Sequence, residues 1–186
     1  MPFEFQPLNI PEIILVSAQS FTDERGYFME TFKRSVFAEH GISAPLVQDN
    51  LSSSRQGVIR GLHFQKPPRA QGKLVMCLQG EIFDVALDIR KGSPHYGKWV
   101  SARLSEENRN MLWVPGGFAH GFQVLSKSAL VFYKVTDEFS PAHELGIRWN
   151  DPEIGIEWPV ANPTVSARDA ALGPLAQVDS GFIYSP

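Results

Sequence analysis

The sequence predicts an all-β protein, built as a sandwich or a jelly-roll barrel. Three observations carry that prediction. Short apolar stretches recur along the chain, broken by Gly, Pro, Asn or Asp. β-Branched and aromatic residues dominate those stretches, which suits a pleated, half-buried surface. About ten short strands without long helices leave those two architectures as the candidates. The chain has 186 residues, 43% of them hydrophobic, enough to bury one substantial core. No linker or low-complexity stretch divides it, so residues 1–186 read as one domain.

In chain order, the first strand is predicted at 12–18 (EIILVSA) and the next at 27–32 (YFMETF). The one convincing helix is short, KRSVFAEHG at 33–41, where Val36 and Phe37 follow Ser35 and Gly41 can close the end as a left-handed cap. The stretch QDNLSSS (48–54) aligns hydrogen-bonding side chains and reads as a polar loop or a binding segment. Strands follow at 57–65, 73–79, 81–89, 99–104, 110–115, 121–126 and 129–136. ELGIRW (144–149) is echoed by EIGIEW (153–158) across an Asn-Asp-Pro turn, which predicts a hairpin with strands around Trp149 and Trp158. Beyond Trp158 the chain is rich in Pro, Ala and Gly and is predicted to wrap the body as loop with a short helical turn.

Charge and cysteine usage exclude some functions. The 17 basic residues nearly balance 20 acidic ones, so no overall basic field attracts nucleic acid or an anionic membrane. A bound anion must be held by local arginines. Cys77 is the single cysteine and lies in the apolar run LVMCL, a structural thiol in a reducing compartment. The N-terminal residues carry no basic cluster ahead of an apolar stretch, and no apolar run is long enough to span a bilayer. The expectation is a soluble cytoplasmic protein.

The polar residues inside apolar strands point to chemistry. VIRGLHFQ (58–65) sets Arg60 and His63 in an apolar run. Three residues apart, they would face opposite ways in a regular strand; a bulge at Gly61 would turn both inward. A lone histidine is more often a hydrogen-bonded core residue, but here it has company. Lys73 opens a strand in phase with Val75 and Cys77, although a lysine there is commonly solvated. Asp84 is in phase with Ile82 and Ala86, and Tyr133 with Val131 and Val135. VPGGFAHGF (114–122) places His120 in a tight turn. DERGYF (23–28) sets Arg25 beside two aromatics, which suits a phosphate next to a stacked base or a charged surface turn. SARDA (166–170) adds Asp169, which in isolation reads as a cap or turn carboxylate.

Taken together, DERGYFMETF, VQDNLSSS, GVIRGLHFQ, QGKLVMCLQGEIFDVALDIR, VPGGFAHGF, VFYKVTDEF and SARDA resemble, in order and spacing, the dTDP-4-dehydrorhamnose 3,5-epimerase family. The resemblance covers roughly the whole chain. It implies a cupin-type jelly roll (a double-stranded β-helix), a homodimer, and no metal or organic cofactor. It also implies epimerisation at C3 and C5 of dTDP-4-dehydro-6-deoxy-D-glucose to dTDP-4-dehydro-L-rhamnose, in dTDP-L-rhamnose synthesis. His63 would be the base, Asp169 its paired carboxylate, Lys73 the group facing the substrate ketone, and Tyr133 the acid. Substrate contacts would fall on Arg25, Glu30, Gln48, Asp49, Asn50, Arg60, His120, Glu144 and Arg168, some reaching across the dimer with RGYF as the best candidate.

The chain departs from some relatives at Phe139, where they carry Tyr, and at Arg168, where they carry Lys. Within the family, an epimerase acting at C3 or C5 alone would share these residues. A metal-dependent cupin is a weaker reading because Leu62, Phe64 and Gln65 flank His63, so a paired-histidine strand is missing. A non-catalytic nucleotide-sugar binding module would need the phosphate contacts but not the base, carboxylate, lysine and phenol together.

Overall fold

The computed structural model describes residues 3–185. In chain order it contains β1 (Phe3–Pro7), β2 (Ile14–Ala18), β3 (Ser20–Asp23), β4 (Gly26–Met29), α1 (Arg34–Glu39), β5 (Gln48–Arg55), β6 (Ile59–Gln65) and β7 (Lys73–Gln79). These are followed by β8 (Glu81–Asp88), β9 (Trp99–Ser105), β10 (Met111–Val114), β11 (Phe118–Val124), β12 (Ser128–Val135), β13 (Glu144–Gly146) and α2 (Ala167–Ala170). A six-stranded sheet runs β1-β2-β10-β7-β12-β5, a five-stranded sheet runs β13-β6-β11-β8-β9, and β3 and β4 form a separate hairpin. Every ladder between these strands is antiparallel. The fold is a jelly roll with few short helices, as the sequence predicts.

Strand alternation explains the layers. On β7, Val75 and Cys77 point between the sheets and pack with Ile82, Leu112, Val124 and Val131. On β6 and β8, Leu62, Phe64, Val85 and Leu87 point the other way and are covered by the segment carrying Ile147, Ile154 and Leu175. The five-stranded sheet is therefore buried on both faces, and β11 reads as a run without an exposed residue. On the outer face of the other sheet, α1 seats Phe37 against Phe3, Val16, Met111 and Trp113. The predicted cap of α1 forms: Gly41 has φ +83°, its N–H donates to the Ala38 carbonyl, and the Ile42 N–H donates to Phe37. That pair of bonds is a Schellman motif.

Four predictions change. His120 lies not in a tight turn but within β11, buried, because the turn is confined to Gly116 and Gly117. QDNLSSS is not a loop but β5, an edge strand hydrogen-bonded to β12 alone. Its alternation places Gln48, Asn50 and Ser52 on the face of Tyr133 and Val131, and Asp49 and Leu51 on the other. β1 and β3 are additional strands. The hairpin predicted over 144–158 does not form. Its first arm is β13, paired with β6, and beyond it Ile147 exchanges backbone hydrogen bonds with Leu62. The second arm is a loop organised by buried Asp151, whose carboxylate accepts from the Glu153 and Leu175 N–H groups.

Candidate active site

The bulge on β6 sets up the site. His63 opposes His120 and Arg60 opposes Phe122, so three residue steps on β6 face two on β11. The extra residue bends the strand and brings Arg60 and His63 to one cavity while Leu62 stays in the outer core. Gly61 has φ +125°, and a Cβ there would lie 2.6 Å from the Gly121 Cα. Only glycine fits both constraints.

The cavity, about 450 Å³, opens between the sheets. Arg60, His63, His120 and Phe122 reach it from the five-stranded sheet, and Ser52, Lys73 and Tyr133 from the six-stranded one. Residues 164–169 close one side. They are held by bonds from the Thr164 N–H to Gly57 and from the Ile59 N–H to Thr164, and by buried Gln123, whose side-chain amide both donates to and accepts from the Val160 backbone.

His63 Nε2 lies 2.7 Å from Asp169 Oδ1. The Ser166 hydroxyl caps α2 by accepting from the Asp169 N–H at 3.0 Å, and the Gly61 N–H reaches Asp169 Oδ2 at 3.4 Å. Burial would raise the Asp169 carboxyl. The hydrogen bond and charge of His63, the Gly61 N–H and Arg168 outweigh it and hold the group below the usual carboxylate range. Asp169, nearly fully buried at 4% exposure, is thus an ionised partner for the imidazole.

Lys73 is buried, and its ammonium has one weak contact, the His63 carbonyl at 3.4 Å. Burial pushes it down to about 8, against the opposing pull of Asp84 and Glu144. Burial also pushes the Tyr133 phenol up, with Arg60 opposing and Glu144 adding to the shift. Tyr133 therefore keeps its proton near neutrality. The Arg60 guanidinium donates to the Ser54 hydroxyl at 2.9 Å. Among the described residues, no group of three His, Cys, Asp or Glu side chains is placed to hold a metal ion.

Seven of the residues expected at the site line this cavity: Arg60, His63, Lys73, His120, Tyr133, Arg168 and Asp169. Glu144 sits at its rim, 2.6 Å from Arg168. Gln48 and Asn50 share the inward face of β5 and bond to each other. Three residues are not brought to the cavity. Asp49 is on the outer face, paired with Lys134 at 2.7 Å. Arg25 is paired with Asp23 on the exposed β3–β4 hairpin, and Glu30 follows that hairpin.

Sequence reasoning missed Ser166, Ser54 and the partner of His120. Asp84, fully buried, lies with Oδ1 2.8 Å from His120 Nε2. The Ser-x-x-Asp spacing of a helix cap could have flagged Ser166, since Asp169 is the capped residue and not the cap. Nothing local in the sequence joins Asp84 to His120, which are 36 residues apart.

The family model described as dTDP-4-dehydrorhamnose 3,5-epimerase matches residues 7–177. The chain is 50% identical over 182 residues to the dTDP-4-dehydrorhamnose 3,5-epimerase of Sinorhizobium fredii, covering 97% of this chain and 93% of that protein. It is 54% identical over 162 residues to the enzyme of that name from Shigella flexneri, covering 87% and 90%. Its structure is similar to the crystal structure of the Legionella pneumophila dTDP-6-deoxy-D-glucose 3,5-epimerase in complex with dTDP-4-keto-L-rhamnose. The TM-score is 0.95 at 43% identity, covering 99% and 100% of the two chains. With this match running through every segment that lines the cavity, the chain belongs to the dTDP-4-dehydrorhamnose 3,5-epimerase family.

Proposed function

We propose that this cavity epimerises dTDP-4-dehydro-6-deoxy-D-glucose at C3 and C5, giving dTDP-4-dehydro-L-rhamnose. The observation that carries the reading is the opposition of two proton-handling groups. His63, backed by Asp169 on α2, stands on one sheet and the Tyr133 phenol on the facing sheet, with the Lys73 ammonium buried beside them. The C4 ketone of the substrate acidifies the protons on both C3 and C5, so one enolate stabiliser serves both carbons. With Nε2 engaged by Asp169, His63 Nδ1 carries the lone pair that removes the proton. The negative charge moves onto the C4 oxygen, where a buried ammonium stabilises it far better than the same contact in water. Asp169 holds the ring and stabilises the imidazolium. Inversion needs a proton on the opposite face of the sugar, and Tyr133 supplies it. Arg60 and Arg168 take the diphosphate side, and His120 meets another polar group of the sugar nucleotide.

The working unit in this reading is a homodimer of single-domain chains. The outer face of the six-stranded sheet supports it: beyond the part that α1 covers, Leu51 on β5 and Leu78 on β7 are exposed apolar residues, with Phe132 of β12 paired to Leu51. Leu51 and Phe28 are 61% and 68% exposed in the isolated chain. The β3–β4 hairpin would then bring Arg25 and Glu30 to the partner's cavity. We place the protein in the cytoplasm. Its one cysteine, Cys77, is buried, and burial pushes the thiol up to about 11, so it is an unreactive structural thiol. No helix among the described residues is long and apolar enough to cross a membrane.

The dyad is tested by His63→Ala and Asp169→Ala. Both are expected to lower turnover on the order of 10²–10⁴-fold while calorimetry shows dTDP binding largely intact. Near-normal rates in either variant would refute the assignment.

A further inference from the structure

The mechanism above leaves unused a buried acidic side chain that is bonded to a residue of the cavity. Asp84, on β8 behind the cavity residue His120, is fully buried. Oδ1 meets His120 Nε2 at 2.8 Å, and Oδ2 has no hydrogen-bond partner. A carboxylate in such a place is costly unless opposite charge compensates it. Two compensating groups are present. One is the His120 N–H. The other is the Lys73 ammonium, which has no carboxylate of its own within ion-pair distance. We propose that Asp84 is a positioning residue for the reaction, fixing the ring of His120 and acting as the counter-charge of Lys73. This rests on the epimerase reading of the cavity.

The consequences follow from the bond and the charge. With Nε2 committed to Asp84, the His120 ring is left with Nδ1 to meet a sugar or nucleotide group in the cavity. Because Asp84 is among the two carboxylates that oppose the desolvation of Lys73, its charge keeps that amine at about 8 and not lower. Other groups also face Lys73. Arg60 and His63 come from β6, Tyr133 from β12 and Glu144 from β13, with Arg168 and Asp169 on α2. The substitution Asp84→Asn changes none of them and keeps the side-chain shape.

The test is kcat/KM against pH for wild type, Asp84→Asn and Asp84→Glu. In the wild type the basic limb is expected near pH 8, where Lys73 would lose its proton. In Asp84→Asn that limb is expected to move to lower pH by about one unit, so the loss is about sixfold larger at pH 8.5 than at pH 6.5. Asp84→Glu keeps the charge and is expected to keep the wild-type limb even where kcat falls. A limb in the same place in Asp84→Asn, or an equal loss at every pH, would mean a merely structural role and overturn the proposal. So would a limb displaced equally in both variants. The wild-type protein gives a check that no folding defect can spoil: 15N NMR of the His120 ring should show the Nε2–H tautomer, and an Nδ1–H tautomer would refute the clamp. Absence of turnover by the wild type would instead sink the epimerase reading, and the tautomer would still decide the clamp.

Discussion

At the scale of single residues, the cavity separates its proton-handling groups by environment. Asp169 is held ionised by the hydrogen bonds and charge around it, Lys73 is brought down to about 8 by burial, and the Tyr133 phenol is pushed up. Near neutrality this leaves an anion behind the imidazole, a cation for the enolate and a phenol with its proton, which is the protonation pattern the reaction requires. Tyr133→Phe tests the division of labour. It should still exchange substrate protons with solvent through His63, while inverted product falls about 100-fold or more. Unimpaired epimerisation would remove Tyr133 from the mechanism. Phe139 is a departure of the opposite kind. It is exposed, its N–H donates to Gln48 Oε1, and it presents no hydroxyl to a substrate.

At the scale of elements, the bulge on β6 is the device that makes a site inside a strand. Without the extra step, Arg60 and His63 would fall on opposite faces. Gly61→Ala should lower stability by about 2–4 kcal/mol, because a Cβ would meet Gly121 and His120 at 2.6 and 2.8 Å in a left-handed backbone. We expect a thermal midpoint lower by about 5–10 °C, with turnover reduced in the fraction that stays folded. A wild-type midpoint and rate would contradict the role given to the bulge. This element also shows what could be read from the residues alone. Arg60 and His63 around a glycine, the in-phase Lys73 and Tyr133, and the Gly41 cap are local patterns, and local patterns are legible. β5 was not, because an edge strand with polar residues facing a cavity lacks the apolar alternation that signals a strand. The echo between ELGIRW and EIGIEW misled for the opposite reason: its pattern is local, but β13 and Ile147 spend their backbone groups on β6, a long-range choice. Likewise, the pairing of Asp84 with His120 depends on strand order, which no short motif encodes.

At the scale of the whole molecule, the two faces of the six-stranded sheet have different tasks. Its inner face supplies Lys73 and Tyr133 to the cavity, and its outer face carries the exposed apolar residues Leu51 and Leu78. Leu51→Arg should convert a species of about twice 20.7 kDa into the monomer, read by light scattering during gel filtration. A monomeric wild type, or a variant still dimeric, would contradict the assigned interface. The central claim is chemical, and one measurement reaches it directly. The purified protein is incubated with dTDP-4-dehydro-6-deoxy-D-glucose in D2O, with and without EDTA, and deuterium at C3 and C5 is followed by NMR. Label at both carbons, at rates indifferent to the chelator, is the predicted result. Label at one carbon only, exchange abolished by EDTA, or no exchange despite binding would contradict it.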